Sequence, residues 1–140
     1  MKKQIQMDKD SKLIEKAMKN RPYTLVVDLD GTLAKDDKWV GFSHIGRPLK
    51  SKVQDIRQSK RAGCFIIIHT CRVTTLDNKV HPQSFDTIRA WLKKHRIPYD
   101  EIWMSVGKPF GNEYWDDKAV NIFCKECMER SARSRFSKKL

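Results

Sequence analysis

Two acids, Asp28 and Asp30, close the apolar run Leu25-Val26-Val27 and are followed at once by Gly31 and Thr32. Residues two apart in an extended chain project to the same side, so this spacing groups both carboxylates at a strand end. Carboxylates held together repel each other unless a proton or a cation sits between them. A second acidic pair, Asp116-Asp117, closes another β-prone stretch, Glu113-Tyr114-Trp115. Oxygen ligands in that number suit a hard cation, and Mg²⁺ binds through one or two carboxylates plus phosphate oxygens. Asp28, Asp30, Asp116 and Asp117 are therefore the candidate metal ligands, with Mg²⁺ the expected cofactor.

Two further positions extend the chemistry toward phosphate. Lys108, in a Gly-Lys-Pro turn, is a compact cation suited to phosphate oxygens or to a phosphorylated carboxylate. Thr70 ends the run Cys64-Phe65-Ile66-Ile67-Ile68-His69 and offers a hydroxyl, with neighbouring backbone N–H groups, to a phosphoryl oxygen. A carboxylate that attacks phosphorus gives an aspartyl-phosphate and splits one hard step into two. Metal and lysine would stabilise the charge on the transferring group. Arg72 follows closely, placed either to reach a substrate's phosphate and leaving group or to pair with a nearby acid. Each residue has a plainer reading taken singly: a D-x-D-G turn for Asp28 and Asp30, a capping hydroxyl for Thr70, a surface charge for Lys108, a helix cap for Asp116-Asp117.

The elements that must position these groups are legible as an alternation of strands and helices. Residues 10–20 read as an amphipathic helix with Leu13, Ile14, Ala17 and Met18 on one face, and Pro22 breaks it. Residues 23–29 are apolar on both faces, the pattern of a buried central strand of a parallel sheet. Residues 31–48 form a loop or hairpin punctuated by Gly41, Gly46 and Pro48, with Trp39, Phe42 and His44 placed to line an entrance or to build a small core of their own. Helices are expected over 49–61 and 82–95, the second turning Ile88, Trp91 and Leu92 inward, with Pro82 in its first turn. Strands are expected over 64–69, 101–104 and 113–115, and a last helix from about Lys118 carrying Ala119, Val120, Ile122 and Phe123. The sum is an α/β, Rossmann-like three-layer sandwich with a mostly parallel sheet. Ligands bind beyond the carboxyl ends of such strands, where all four polar clusters fall.

Asp28-Leu-Asp-Gly-Thr32 after an apolar strand resembles the first motif of the haloacid dehalogenase superfamily of phosphohydrolases. Thr70 resembles the second motif, Lys108 the third, and Asp116-Asp117 the paired-acid form of the fourth, in order over residues 23–123. More narrowly, "IGRPL", "HTCR" and "YWDDKA" resemble the small capless members. The resemblance implies a phosphomonoesterase with Asp28 as nucleophile and metal ligand, and Asp30 as general acid/base with its carbonyl facing Mg²⁺. It also implies Thr70 and Lys108 as phosphoryl holders, and Asp116 as the remaining metal carboxylate with Asp117 close behind. Residues 33–47 and 73–80 leave room only for loops where larger members insert cap domains, so the site is open, or closed by a second subunit of a homo-oligomer.

Length and charge bound the rest. A chain of 140 residues builds one core. The expected division is a basic helical extension (1–21), a single catalytic domain (22–129) and a basic tail (130–140). The formal charge of +12 favours anionic ligands. Lys2, Lys3, Lys9, Lys12, Lys16 and Lys19 at one end, and Arg130, Arg133, Arg135, Lys138 and Lys139 at the other, suit either solvation or contact with nucleic acid. No apolar segment approaches a membrane span and no secretory signal opens the chain, so a cytoplasmic protein without membrane contact is expected. Cys124-Lys-Glu-Cys127 lacks the partners of a structural zinc site and reads as two thiols on one helix turn. The substrate class is a phosphorylated small molecule or a nucleic-acid end, with a sugar phosphate as alternative. A catalytically weak nucleic-acid-binding protein on the same fold is the rival of another class.

Overall fold

Four parallel strands make the sheet of this protein, seen in a computed structural model that describes residues 6–137. Lys2, Lys3, Lys138 and Lys139 of the basic ends lie outside the described residues. The strands are β1 (Thr24–Val27), β2 (Phe65–Ile68), β3 (Glu101–Ile102) and β4 (Glu113–Trp115), in the spatial order β3-β2-β1-β4. β1 pairs Leu25 with Ile66 of β2 on one side and with Glu113 of β4 on the other. The expected sandwich is thus present in its α/β, Rossmann-like form, with no large cap domain among the described residues.

Alternation along β1 and β2 divides the apolar side chains between two faces. Leu25, Val27, Ile66 and Ile68 join one core cluster with Val53 and Ile56 of α2 (Lys50–Arg61) and with Ile88, Trp91 and Leu92 of α3 (Gln83–Lys94). Both helices therefore pack on the same face, as connections that step from β1 to β2 to β3 in one direction require. Val26 and Ile67 point the other way and are buried too. Gly111 lies so close to Val26 that any side chain there would collide with its methyl group. A strand buried on both faces must be apolar throughout, which is why β1 carries no polar residue between Thr24 and Asp28.

The first helix forms as expected, and two other expectations change. The first helix, α1 (Lys9–Lys19), forms with Asp8 as its cap, the Asp8 carboxylate accepting the Ser11 N–H at 2.7 Å. Its apolar stripe is left uncovered, with Leu13, Ile14 and Met18 all exposed. Pro82 precedes the first turn of α3 rather than lying within it. The last helix, α4, runs over Lys125–Ser137, seven residues later than expected and on through Arg130, Arg133 and Arg135. Two side chains account for the delay. Asp116 accepts the Lys118 N–H at 2.8 Å and Asn121 accepts the Phe123 N–H at 3.0 Å, so local turns take donors a helix would have needed. Ile122 and Phe123 are left facing solvent. No helix among the described residues is long and apolar enough to cross a membrane.

Candidate active site

β1 has β2 on one side and β4 on the other, while the chain reaches them in opposite directions along the sheet. A crevice opens beyond the carboxyl ends of strands at such a reversal. Asp28 stands at this reversal, directly after β1. Its N–H donates to the Trp115 carbonyl at 2.9 Å, continuing the β1–β4 ladder by one residue, and the His69 N–H donates to the Val27 carbonyl at 2.9 Å. The chain then folds back tightly. The Leu29 carbonyl accepts N–H bonds from Leu33 and Ala34, each at 2.9 Å, and the Gly31 N–H reaches the Ala34 carbonyl at 2.7 Å.

Gly31 has a φ of +86°, and a Cβ there would run into the Asp117 carboxylate. Its absence of a side chain serves the turn and the approach of β4's acids together. Asp28, Asp116 and Asp117 offer carboxylate oxygens that all lie within 4.8 Å of one another, a group able to hold a cation. Thr32 ties two of them: its hydroxyl accepts the Asp117 N–H at 3.1 Å and donates to Asp28 Oδ2 at 3.5 Å. Burial foremost, then the charges of Asp116, Asp117 and Asp30, push the Asp28 carboxyl up to about 7, against a bond from the Leu29 N–H. Three hard oxygen donors crowded over an apolar floor fit a divalent cation, which would relieve the repulsion.

Asp30 is placed differently. Its carboxylate is not in that group but accepts Arg72 Nε at 2.6 Å and Nη2 at 2.8 Å, a two-point ion pair. Of the two roles open to Arg72, the structure shows the pairing with a nearby acid. Thr70 is buried, and its hydroxyl oxygen accepts the Arg72 N–H at 3.2 Å, capping the turn after β2. The hydroxyl proton is not used in that bond. Lys108 is exposed on the loop before β4, its ammonium 4.3 Å from the centroid of the Tyr114 ring. Burial holds the His69 imidazole below its ordinary range, with Lys108 lowering it further and Asp116 opposing. Both charges therefore reach the end of β2.

The strand ends thus bring Asp28, Asp116 and Asp117 into one group, with Asp30 and Arg72 paired beside it, Thr70 in the adjoining turn and Lys108 at the rim. Three contributors were not assigned from the sequence. Thr32 lies four residues after Asp28 in a turn that makes them neighbours, a spacing visible beforehand. His69 is marked only by its place before Thr70. Cys71 lies on the same turn, where partial desolvation foremost, then the charges of Asp28 and Asp30, push its thiol up. The Cys124–Cys127 pair sits at the start of α4, where the Cys127 N–H meets Cys124 Sγ at 3.4 Å, and both thiols are free.

No protein-family model and no curated protein matches the chain. Solved structures do. A Vibrio cholerae protein known from its crystal structure is 29% identical with a TM-score of 0.51, over 80% of this chain and 98% of its own. A conserved protein from Bacteroides thetaiotaomicron is 14% identical with a TM-score of 0.54, over 85% and 94%. Both share the fold over nearly their whole length. A D,D-heptose 1,7-bisphosphate phosphatase from B. bronchiseptica, complexed with magnesium and phosphate, is 18% identical with a TM-score of 0.41, over 82% of this chain and 64% of its own. That last likeness is too slight to bear on this chain.

Proposed function

We propose that the protein is a Mg²⁺-dependent phosphomonoester hydrolase of the haloacid dehalogenase type, working through an aspartyl-phosphate on Asp28. The observation that carries the reading is the grouping of Asp28, Asp116 and Asp117 within 4.8 Å where the strand order reverses. Asp28 has the best-buried carboxylate of the three and follows directly on the fully buried strand β1, which fixes it as a nucleophile requires. It attacks phosphorus, the P–O bond to the leaving group breaks, and Asp30, which enters the cycle protonated, gives its proton to the departing oxygen. Asp30 then takes a proton from the water that attacks the phospho-aspartate, which releases phosphate and restores Asp28. The Thr70 hydroxyl and the Lys108 ammonium hold phosphoryl oxygens, Lys108 by leaving the Tyr114 ring. Asp28, Asp116 and Asp117, with the Asp30 carbonyl, would hold the cation, which supplies charge neutralisation at the phosphoryl oxygens.

The substrate is a phosphate at the end of a nucleotide or nucleic acid. An open site without a large cap and a charge of +12 both favour a large anionic partner. A phosphate-release screen over nucleotides, 3′- and 5′-phosphorylated oligonucleotides and sugar phosphates, with and without Mg²⁺, tests it. Release from nucleotides or oligonucleotides that needs Mg²⁺ and disappears in Asp28→Asn is expected. Release by Asp28→Asn at the full rate, or none from any ester, overturns the enzyme; a response from sugar phosphates alone overturns the substrate class.

A further inference from the structure

Arg72 is the most heavily engaged charged residue near the site, and none of its nitrogens faces an open crevice. Its side chain is 7% exposed. Nε and Nη2 hold the two oxygens of Asp30 at 2.6 and 2.8 Å, and Nη1 meets the Phe42 carbonyl at 3.5 Å. The guanidinium also lies 5.2 Å from the centroid of the Trp39 ring. A buried guanidinium costs several kcal/mol of desolvation unless such partners compensate it, so the contacts form a unit that is kept or lost together. Trp39 and Phe42 belong to the flap of residues 35–46. The flap's base is fixed independently: Lys35 N–H reaches the Arg47 carbonyl at 2.8 Å, and Trp91 Nε1 donates to the Gly46 carbonyl at 3.0 Å. Its tip rests on Arg72, on Trp39–Phe42 edge contact at 5.2 Å, and on the His81 ring 5.2 Å from that of Phe42.

We propose that Arg72 is a positioning residue: it fixes the carboxylate of Asp30 and seats the flap of residues 35–46 beside the site with the same guanidinium. The inference rests on the phosphohydrolase reading for what Asp30 does, but not for where the flap sits. A planar fork is needed, because only it meets both carboxylate oxygens while presenting a flat face to an aromatic ring. Lysine at this position keeps the charge and loses the fork. Loss of Arg72 frees Asp30 to rotate and removes the flap's seat in one change.

Two substrates and one protease separate this from a merely structural role. p-Nitrophenyl phosphate releases an anion stable without a proton, whereas an alkyl ester such as β-glycerophosphate needs one from Asp30. Both are assayed with Mg²⁺ for the wild type, Arg72→Gln, Arg72→Lys and Asp30→Asn. Arg72→Gln is expected to lower kcat on the alkyl ester by roughly a hundredfold and on the aryl ester by less than about tenfold, the pattern of Asp30→Asn, with Arg72→Lys between. Trypsin cleavage after Lys38 is expected to rise roughly tenfold in Arg72→Gln and in Trp39→Ala, following the population of the open flap, and to stay unchanged in Asp28→Asn. Equal losses on both esters overturn the positioning of Asp30, and unchanged cleavage overturns the flap seat. Should the wild type hydrolyse neither these esters nor any ester of the phosphate-release screen, the phosphohydrolase reading fails and the cleavage rates still decide the seat; Arg72→Lys and Trp39→Ala answer if Arg72→Gln does not fold.

Discussion

Gly31 concentrates two constraints that are normally met separately. Its φ of +86° disfavours any L side chain, and the Asp117 carboxylate occupies the space a Cβ would take. Gly63 supplies the comparison, with a φ of +94° and nothing within 4 Å of a Cβ. Gly63→Ala should therefore cost only the backbone penalty, about 1 kcal/mol, while Gly31→Ala should cost roughly 2 to 3 kcal/mol. It should also displace Asp117 from Asp28, so that Mg²⁺ no longer raises the denaturation midpoint. Urea unfolding of both variants, with and without Mg²⁺, measures both effects. Equal costs for the two glycines would mean that Asp117 yields freely. Thr32 belongs to the same scale, because one hydroxyl joins the Asp117 backbone to the Asp28 carboxylate.

Among the elements, the buried and the unburied obey different rules. Ile88 of α3 is fully buried against β1 and β2, so Ile88→Ala should cost about 2 to 5 kcal/mol. Ile14 of α1 has the same amphipathic spacing yet is 60% exposed, so Ile14→Ser should change stability by less than about 0.5 kcal/mol. Thermal or urea denaturation checks both, and a large loss at Ile14 would show that the α1 stripe is covered in solution. That contrast also explains what the sequence made legible. β1 and β2 could be read because runs buried on both faces are apolar without interruption and end at their acids or threonine, whereas β4, largely exposed, was marked by β-prone Tyr114 and Trp115 and the acids that follow them. The stripes of α1 and of residues 119–123 had the right residue types, but periodicity reports a helix face and not its partner. α4 was hidden by the side-chain turns at Asp116 and Asn121, which compete with the helix through single hydrogen bonds. At the site, Asp28 with Asp116 and Asp117 followed from strand ends, whereas the Asp30–Arg72 pair spans 42 residues and depends on a rotamer that no spacing encodes.

The whole molecule's stability registers the crowding of carboxylates through pH. Asp28 has an ordinary value of 3.8, and in the folded protein burial and its acidic neighbours push it up to about 7. Below 3.8 the carboxyl is protonated in both folded and unfolded chains, and its contribution to stability is fully present. Between 3.8 and about 7 the unfolded chain releases the proton while the folded one retains it, so the contribution is lost as pH rises. The metal-free protein should then show a falling midpoint from this group over that window and no further loss above it. A divalent cation competes with the proton for the ionised carboxylate, so Mg²⁺ should raise the melting temperature more at pH 8 than at pH 5. Asp28→Asn cannot ionise; it should flatten the falling limb and shrink the Mg²⁺ shift at pH 8 toward its value at pH 5. Melting curves of both proteins at the two pH values, with and without Mg²⁺, measure all of this. An equal Mg²⁺ shift at both pH values in the wild type would place the cation away from Asp28, and the phospho-aspartate chemistry would lose its site.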